Sequence, residues 1–505
     1  MSRITVDIDL NRVEGDLEFQ VDLEDGVVVD ARCVGTLYRG FEQIMIGRAP
    51  RDALVITPRV CGICGTAHLY AATLALEQIA HITPPAHAVQ VRNLCLMAET
   101  LQSDLRQSFL FFTPDFCNAN YAAHPLAAEL RDAFTPLKGS VVRGTLKATR
   151  DVLGIVALFG GQWPHSTYML PGGIAQPANS RRILDSRGIL AAVRAWFEQA
   201  VIGGRLEEWM ALDSADALFR WQAAAAGRGL SALGLFNRFS RDIGLHRLGR
   251  GTGHLLSYGV NPQPFADQRE LPAGFFNADT QQIETLDQSQ INEHVRHSWF
   301  LDYPGGRHPW EGETIPDHQP GSDRYTWAKA PRYGDKVVQT GPLAELRIAG
   351  EPLISDLLAR EGDNTWLRQF ARLRRAGWLI GAMSETLQAI KASMDQPHYI
   401  DPGIDIWPDG ESYGLVEAAR GGLGHWLRIR NGVIDKYQIV TPTAWNASPR
   451  DSAGRHGHWE QSIIGLPVPD PANPVDIGHI VRSHDPCLVC TVHFIGSQRK
   501  THFNV

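Results

Sequence analysis

The sequence has no uninterrupted apolar run of about 18 residues, so no membrane-spanning helix is expected. It has no dense basic tract either. Lysine and arginine number 48 against 55 aspartates and glutamates, and the formal charge of −7 is weak for 505 residues. That balance gives no electrostatic footprint for nucleic acid. Two small basic clusters, "RRILDSR" from Arg181 and "RLRR" from Arg372, are expected to be solvated helix faces. An apolar signal core is missing at the N-terminus, where "MSRITVDIDL" alternates like a strand. A cytoplasmic location is expected on that ground. Cysteine is scarce, with 7 in the whole chain, and an odd, sparse set excludes a secreted disulfide framework. Internal repeats and low-complexity tracts are absent.

What is present is a large soluble type of sequence, 44% apolar and 20% charged. Its length exceeds the ~250–300 residues of one simple core, so subdomains are expected. Residues 1–52 read as an N-terminal antiparallel sheet with a turn at Glu24–Gly26. Residues 53–249 read as a helical core, with helices over Ala88–Phe112, Ser140–Phe159 and Ile189–Gly227. Residues 250–345, rich in glycine, proline and aromatics, read as an irregular β insertion. Residues 346–400 return to helix, in two pieces joined near Gly362–Asn364. Residues 401–493 read as strands with an Asn431–Gly432 hairpin turn and a short helix near Asp476–His484. Residues 494–505 form a tail. The expected class is α+β: a long-helix bundle core, an N-terminal antiparallel sheet and a C-terminal strand layer.

Four of the cysteines form two Cys-x-x-Cys pairs, Cys61/Cys64 in "RVCGICGTAH" and Cys487/Cys490 in "DPCLVCTVH". The others, Cys33, Cys95 and Cys117, are isolated and read as small buried apolar residues. Zinc ribbons space their pairs by about 15–20 residues, whereas these pairs lie at opposite ends of the chain. Only the whole fold can join them, which suits an active site buried at the molecule's centre. Taken alone, the two pairs favour zinc. Soft thiolates also select nickel, copper(I) and iron–sulfur clusters, so ligand type does not decide the metal.

The flanking residues carry a family resemblance. Arg59, Cys61, Gly62, Cys64 and His68 match Arg-x-Cys-Gly-x-Cys-x-x-x-His. Asp485, Pro486, Cys487, Cys490 and His493 match Asp-Pro-Cys-x-x-Cys-x-x-His. With "NRVEGDL" (Asn11–Leu17), "YRGFE" (Tyr38–Glu42), "EAARGGLGHW" (Glu417–Trp426) and "TPTAWNASPRD" (Thr441–Asp451), the chain resembles the large, catalytic subunit of [NiFe]-hydrogenases along nearly its full length. The resemblance implies reversible heterolytic cleavage of H2 at a nickel–iron centre whose iron carries carbon monoxide and cyanide. Cys61 and Cys487 would be terminal nickel ligands, and Cys64 and Cys490 would bridge to iron. Cys487 would act as base and Glu14 would relay the proton; the family commonly has His where Asp16 stands. Arg420 would lie over the metals, and Pro442 and Thr443 would meet a cyanide. His68 would hydrogen-bond a cysteine sulfur. Asp104 and Asp485 would stand around the arginine. Glu42, His493 and the carbonyl of Ile439 would ligate magnesium or iron(II).

The resemblance further implies an obligate partner, an iron–sulfur small subunit that takes the electrons, with a dimer of such heterodimers possible. Three scattered cysteines are too few for a four-thiolate cluster in this chain. Maturation chaperones and a protease that cuts after His493 are also implied. "RVEGDL", "RGFEQI" and "TPRVCGICGTAHLY" look closest to the cytosolic uptake and hydrogen-sensing groups, with Ile63 and Phe111 or Phe112 bulkier than usual near the gas route. Two other classes stand as alternatives. One is a zinc-stabilised four-cysteine scaffold. The other is a subunit like the quinone-site subunit of respiratory complex I, whose lineage has lost the thiolates.

Overall fold

A computed structural model describes residues 3–9, 12, 17–263 and 268–487. Glu14, Cys490 and His493 fall outside this set. Three strands, β1 (Arg3–Asp9), β2 (Leu17–Glu24) and β3 (Val27–Gly35), form an antiparallel meander. The β2–β3 turn follows from Asp25 and Gly26, which both adopt left-handed backbone (φ 51° and 78°), the pair a tight hairpin needs. Alternation buries Phe19, Val21 and Leu23 on one face. They pack against Trp459, Ile477, Ile480 and Val481 near the other end of the chain. Burying such a face stabilises by roughly 1.5–3 kcal/mol per large side chain, and here it brings the N-terminal and C-terminal segments together.

The helical core is built on α1 (Gly65–Ile79), α2 (Ala86–Arg106), α3 (Ser140–Gly160), α4 (Ser180–Trp196) and α5 (Thr365–Ala392). α2 runs on through a wide turn at Gln107–Phe112 and packs against α3 and α5. α1 and α2 are buried nearly all round, as expected of central helices. The helix expected over Ile189–Gly227 is broken. α4 and its wide turn stop at Ile202, because Gly203 takes a left-handed conformation (φ 67°) that ends the helix. Short helices Leu206–Met210 and Ala215–Ala223 follow. Residues 255–333 hold short strands in two- and three-stranded sheets, as their composition suggests.

The "RLRR" stretch departs most from expectation. Arg372, Arg374 and Arg375 lie on α5 with only 1% exposure each. They are not a solvated face, because each guanidinium meets a buried carboxylate or carbonyl. Arg181, by contrast, is 91% exposed.

The C-terminal layer is the meander β4 (Gly410–Ala418), β5 (Gly421–Arg430) and β6 (Val433–Val440). Asn431 and Gly432 make its hairpin turn in left-handed backbone (φ 52° and 74°). β4 packs on α1 at Gly414, where a Cβ would lie 1.9 Å from the Ala71 carbonyl oxygen. Glycine is what lets this sheet approach the helix so closely. α6 (Pro442–Asn446) and α7 (Val475–Ser483) complete the part that bears on the site.

Candidate metal centre

Cys61 and Cys64 lie in the loop before α1, and Cys64 is the residue that caps this helix. The cap has no side-chain acceptor of its own. Glu99 on α2 supplies one, accepting from the amides of Thr66 (3.1 Å) and Ala67 (3.2 Å) and from Trp163 Nε1 (3.0 Å). Burial pushes the Glu99 carboxyl up to about 7, and these donors oppose the shift. Cys487 follows α7 by way of Asp485, whose φ of 58° turns the chain inward. Its amide donates to Thr443 Oγ1 at 3.1 Å.

The sulfurs of Cys61, Cys64 and Cys487 all lie within 4.8 Å of one another, and all three residues are buried. Cys61 Sγ and Cys487 Sγ are 3.4 Å apart. That is far beyond the ~2.05 Å of a disulfide bond. It approaches the ~3.8 Å between sulfurs bound tetrahedrally at ~2.3 Å around one ion.

Arg420 lies in the tight β4–β5 connection. At the following residue, Gly421 (φ 127°), a Cβ would meet Thr340 Oγ1 at 2.4 Å. The Arg420 side chain is 3% exposed. Burial works against its charge, but Asp485 and then the thiol groups of Cys487, Cys61 and Cys64 hold it firmly protonated. Nε is 3.1 Å from Asp485 Oδ1, an ion pair whose geometry is not that of a hydrogen bond. Nε and Nη1 have no hydrogen-bond acceptor among the described residues. A buried guanidinium with spare donors is built for an acceptor that the protein does not supply.

Asp485 thus reaches Arg420, whereas Asp104 does not. The Asp104 carboxylate is gripped by Arg375 (Nη2 2.6 Å, Nε 2.9 Å) and by Arg372 Nη1 (3.3 Å), and the same Arg372 nitrogen lies 3.3 Å from Asp485 Oδ2. Arg375 also donates to the Ala419 carbonyl and pairs with Glu345. A buried row of alternating charge therefore runs from Arg420 through Asp485, Arg372, Asp104 and Arg375 to Glu345. Arg420, Asp485 and Asp104 were legible as site residues; Arg372, Arg375 and Glu345 were not.

His68 lies one turn along α1 from Cys64. Its Nδ1 is 3.0 Å from His425 Nε2, and His425 Nδ1 is 2.8 Å from the Tyr437 hydroxyl. Burial lowers the His68 ring to about 4, and burial with the neighbouring His68 holds His425 well below the usual imidazole range. Neither His425 nor Tyr437 was singled out from sequence; the quoted "GLGHW" was the only signal.

At the second expected metal site, Glu42 meets Ile439 through the amide, which donates to Oε1 at 2.9 Å. Lys329 Nζ is 3.4 Å from the same oxygen and 2.7 Å from both Glu293 Oε2 and Gln438 Oε1. An ammonium already partners this carboxylate, so among the described residues the donor set for a hard cation is thin.

The class follows from these observations: buried convergent cysteine sulfurs and a buried guanidinium with spare donors make a metalloenzyme centre on a mixed helix-and-sheet fold. The comparisons give the family. A profile described as nickel-dependent hydrogenase matches residues 39–134 and 239–493. The periplasmic [NiFeSe] hydrogenase large subunit of Desulfomicrobium baculatum is 31% identical over 98% of this chain and 96% of its own. The uptake hydrogenase large subunit of Rhodobacter capsulatus is 28% identical over 98% and 96%. The solved structure of an H2-activated [NiFeSe]-hydrogenase from Dm. baculatum superposes with a TM-score of 0.83 at 30% identity, covering 97% of this chain and 100% of that one. The chain belongs to the nickel-dependent hydrogenase family and is a hydrogenase large subunit.

Proposed function

We propose that this subunit oxidises H2 at a nickel–iron centre that Cys61, Cys64, Cys487 and Cys490 would hold through their sulfurs. The observation that carries the reading is the meeting of three buried sulfurs from both ends of the chain. Thiolates are soft donors that tolerate a change of oxidation state, which zinc does not undergo. The bound metals, with the iron carrying carbon monoxide and cyanide, would supply the acceptor for the electron pair of H2.

The protein's own residues do the rest. Cys487 Sγ would accept the proton released from H2, and Glu14 would pass it outward. Arg420 directs its spare donors at the group above the thiolates, held in aim by Asp485. Thr443 fixes the Cys487 backbone, and Pro442 starts the turn that presents it. His68 donates to a cysteine sulfur. Asp104 acts at one remove, by holding Arg372 and Arg375. Glu42 and His493 are assigned a magnesium or iron(II) ion, and no step depends on it.

The electrons pass to an iron–sulfur small subunit. The match to an uptake hydrogenase large subunit supports net H2 oxidation. A hydrogen-sensing role is the second reading, favoured by the bulk of Ile63 and Phe112, both buried. Infrared spectroscopy of the purified complex tests the centre. Bands of metal-bound carbon monoxide and cyanide are expected, and a zinc protein without them overturns the reading.

A further inference from the structure

The row His68–His425–Tyr437 has a direction. His425 lies on β5 and Tyr437 on the adjacent strand β6, and both side chains are buried. Each contact in the row has room for one hydrogen. The Tyr437 hydroxyl hydrogen has a single acceptor among the described residues, His425 Nδ1 at 2.8 Å. If the hydroxyl fills that contact, His425 Nδ1 is an acceptor and the ring must carry its hydrogen on Nε2. That hydrogen then fills the 3.0 Å contact to His68 Nδ1. His68 Nδ1 is then the acceptor, and the ring hydrogen of His68 lies on Nε2.

The other end of the row agrees. His68 Nε2 is buried with no protein partner among the described residues, and His68 lies one turn along α1 from Cys64. A metal-bound thiolate has lone pairs and no hydrogen to give, so it suits a donor there and opposes a bare nitrogen. The opposite direction would leave the tyrosine hydrogen buried without an acceptor and set a lone pair against a thiolate, each a costly arrangement.

We propose that Tyr437 and His425 are positioning residues that fix His68 as a donor on its Nε2 side, towards the thiolate cluster. The proposal rests on the metal-centre reading only for what lies beyond Nε2; the hydrogen positions along the row follow from the protein alone. By withdrawing electron density from a ligand sulfur, the row tunes the centre without touching it.

Neutron diffraction from deuterium-exchanged crystals of the intact complex tests the direction. Deuterium is expected on Nε2 of both histidines and on the Tyr437 hydroxyl facing His425. Deuterium on Nδ1 of either histidine overturns the proposal, whether or not the metals are those assigned. Infrared spectra of Tyr437→Phe test the consequence. With the row unpolarised, the sulfur donates more density, and the carbon monoxide and cyanide bands move to lower wavenumber with nickel content unchanged. Bands that do not move overturn the tuning role. Bands missing from the wild type overturn the metal reading instead, which the neutron result does not depend on.

Discussion

Cys61 Sγ lies 3.4 Å from Cys487 Sγ although 426 positions separate the two residues. No local motif can achieve that. It takes the β1–β3 sheet packed on α7, the glycine contact between β4 and α1, and the Thr443 hydroxyl that receives the Cys487 amide. The site is thus a product of the whole fold, and changes well away from the sulfurs should be felt there.

Arg420→Lys keeps the charge and removes the fork of donors. If those donors act on the reacting centre, kcat for H2 oxidation falls by roughly 10²–10³-fold, as when a preorganised donor is lost elsewhere. Nickel content should stay near one per chain, because no metal ligand changes. Dye-linked H2 oxidation with metal analysis on the same samples checks both; an active Lys variant would remove Arg420 from the machinery.

Asp104→Ala takes the shared carboxylate from Arg372 and Arg375, leaving each with one carboxylate partner, Asp485 and Glu345. Breaking a buried pair from one side costs about 3–5 kcal/mol. Asp151→Ala, which breaks the exposed Lys147–Asp151 pair, should cost almost nothing. Urea unfolding of the two variants side by side is the measurement, and equal midpoints would show that the buried row does not stabilise the fold.

Gly414→Ala puts a methyl group against the backbone of α1. Helix and sheet must separate, at a cost of about 1–3 kcal/mol or more, and Cys64 moves with the helix. The variant is expected to melt lower and to lose nickel in proportion. Unchanged metal content in a destabilised protein would mean that the first cysteine pair is held independently of this contact.

Much of this architecture was legible. The hairpin pairs at Asp25–Gly26 and Asn431–Gly432, the long helices and the two cysteine pairs are local signals, and local chemistry fixes them. What escaped was partnership across the fold. "RLRR" reads as surface because arginine usually is; its burial depends on Asp104, Glu345, Glu351 and Asp485, remote in sequence and individually ordinary. His425 and Tyr437 gain meaning only through the β5–β6 register that stacks them beside His68. The break at Gly203 was visible as a Gly-Gly step, but helical periodicity on either side obscured it.

Glu99 gives stability a pH dependence of predictable sign. Its carboxyl is raised by burial from an ordinary 4.5 to about 7, so the folded state keeps a proton that the unfolded chain loses between those values. Its contribution is full below about 4.5 and is lost as pH rises to about 7, on the order of 3 kcal/mol in all. Relative to Glu99→Gln, the wild type should lose stability across that window and run parallel above it. Parallel curves throughout would mean that the amide donors hold Glu99 ionised.

Sulfur from both ends of the chain on one nickel is the central claim, and nickel K-edge X-ray absorption of the purified complex measures it. The prediction is a nickel shell of sulfur donors only, losing one on Cys61→Ser and one on Cys487→Ser. Zinc in place of nickel, or a nickel shell of nitrogen and oxygen unchanged by either substitution, would contradict the account.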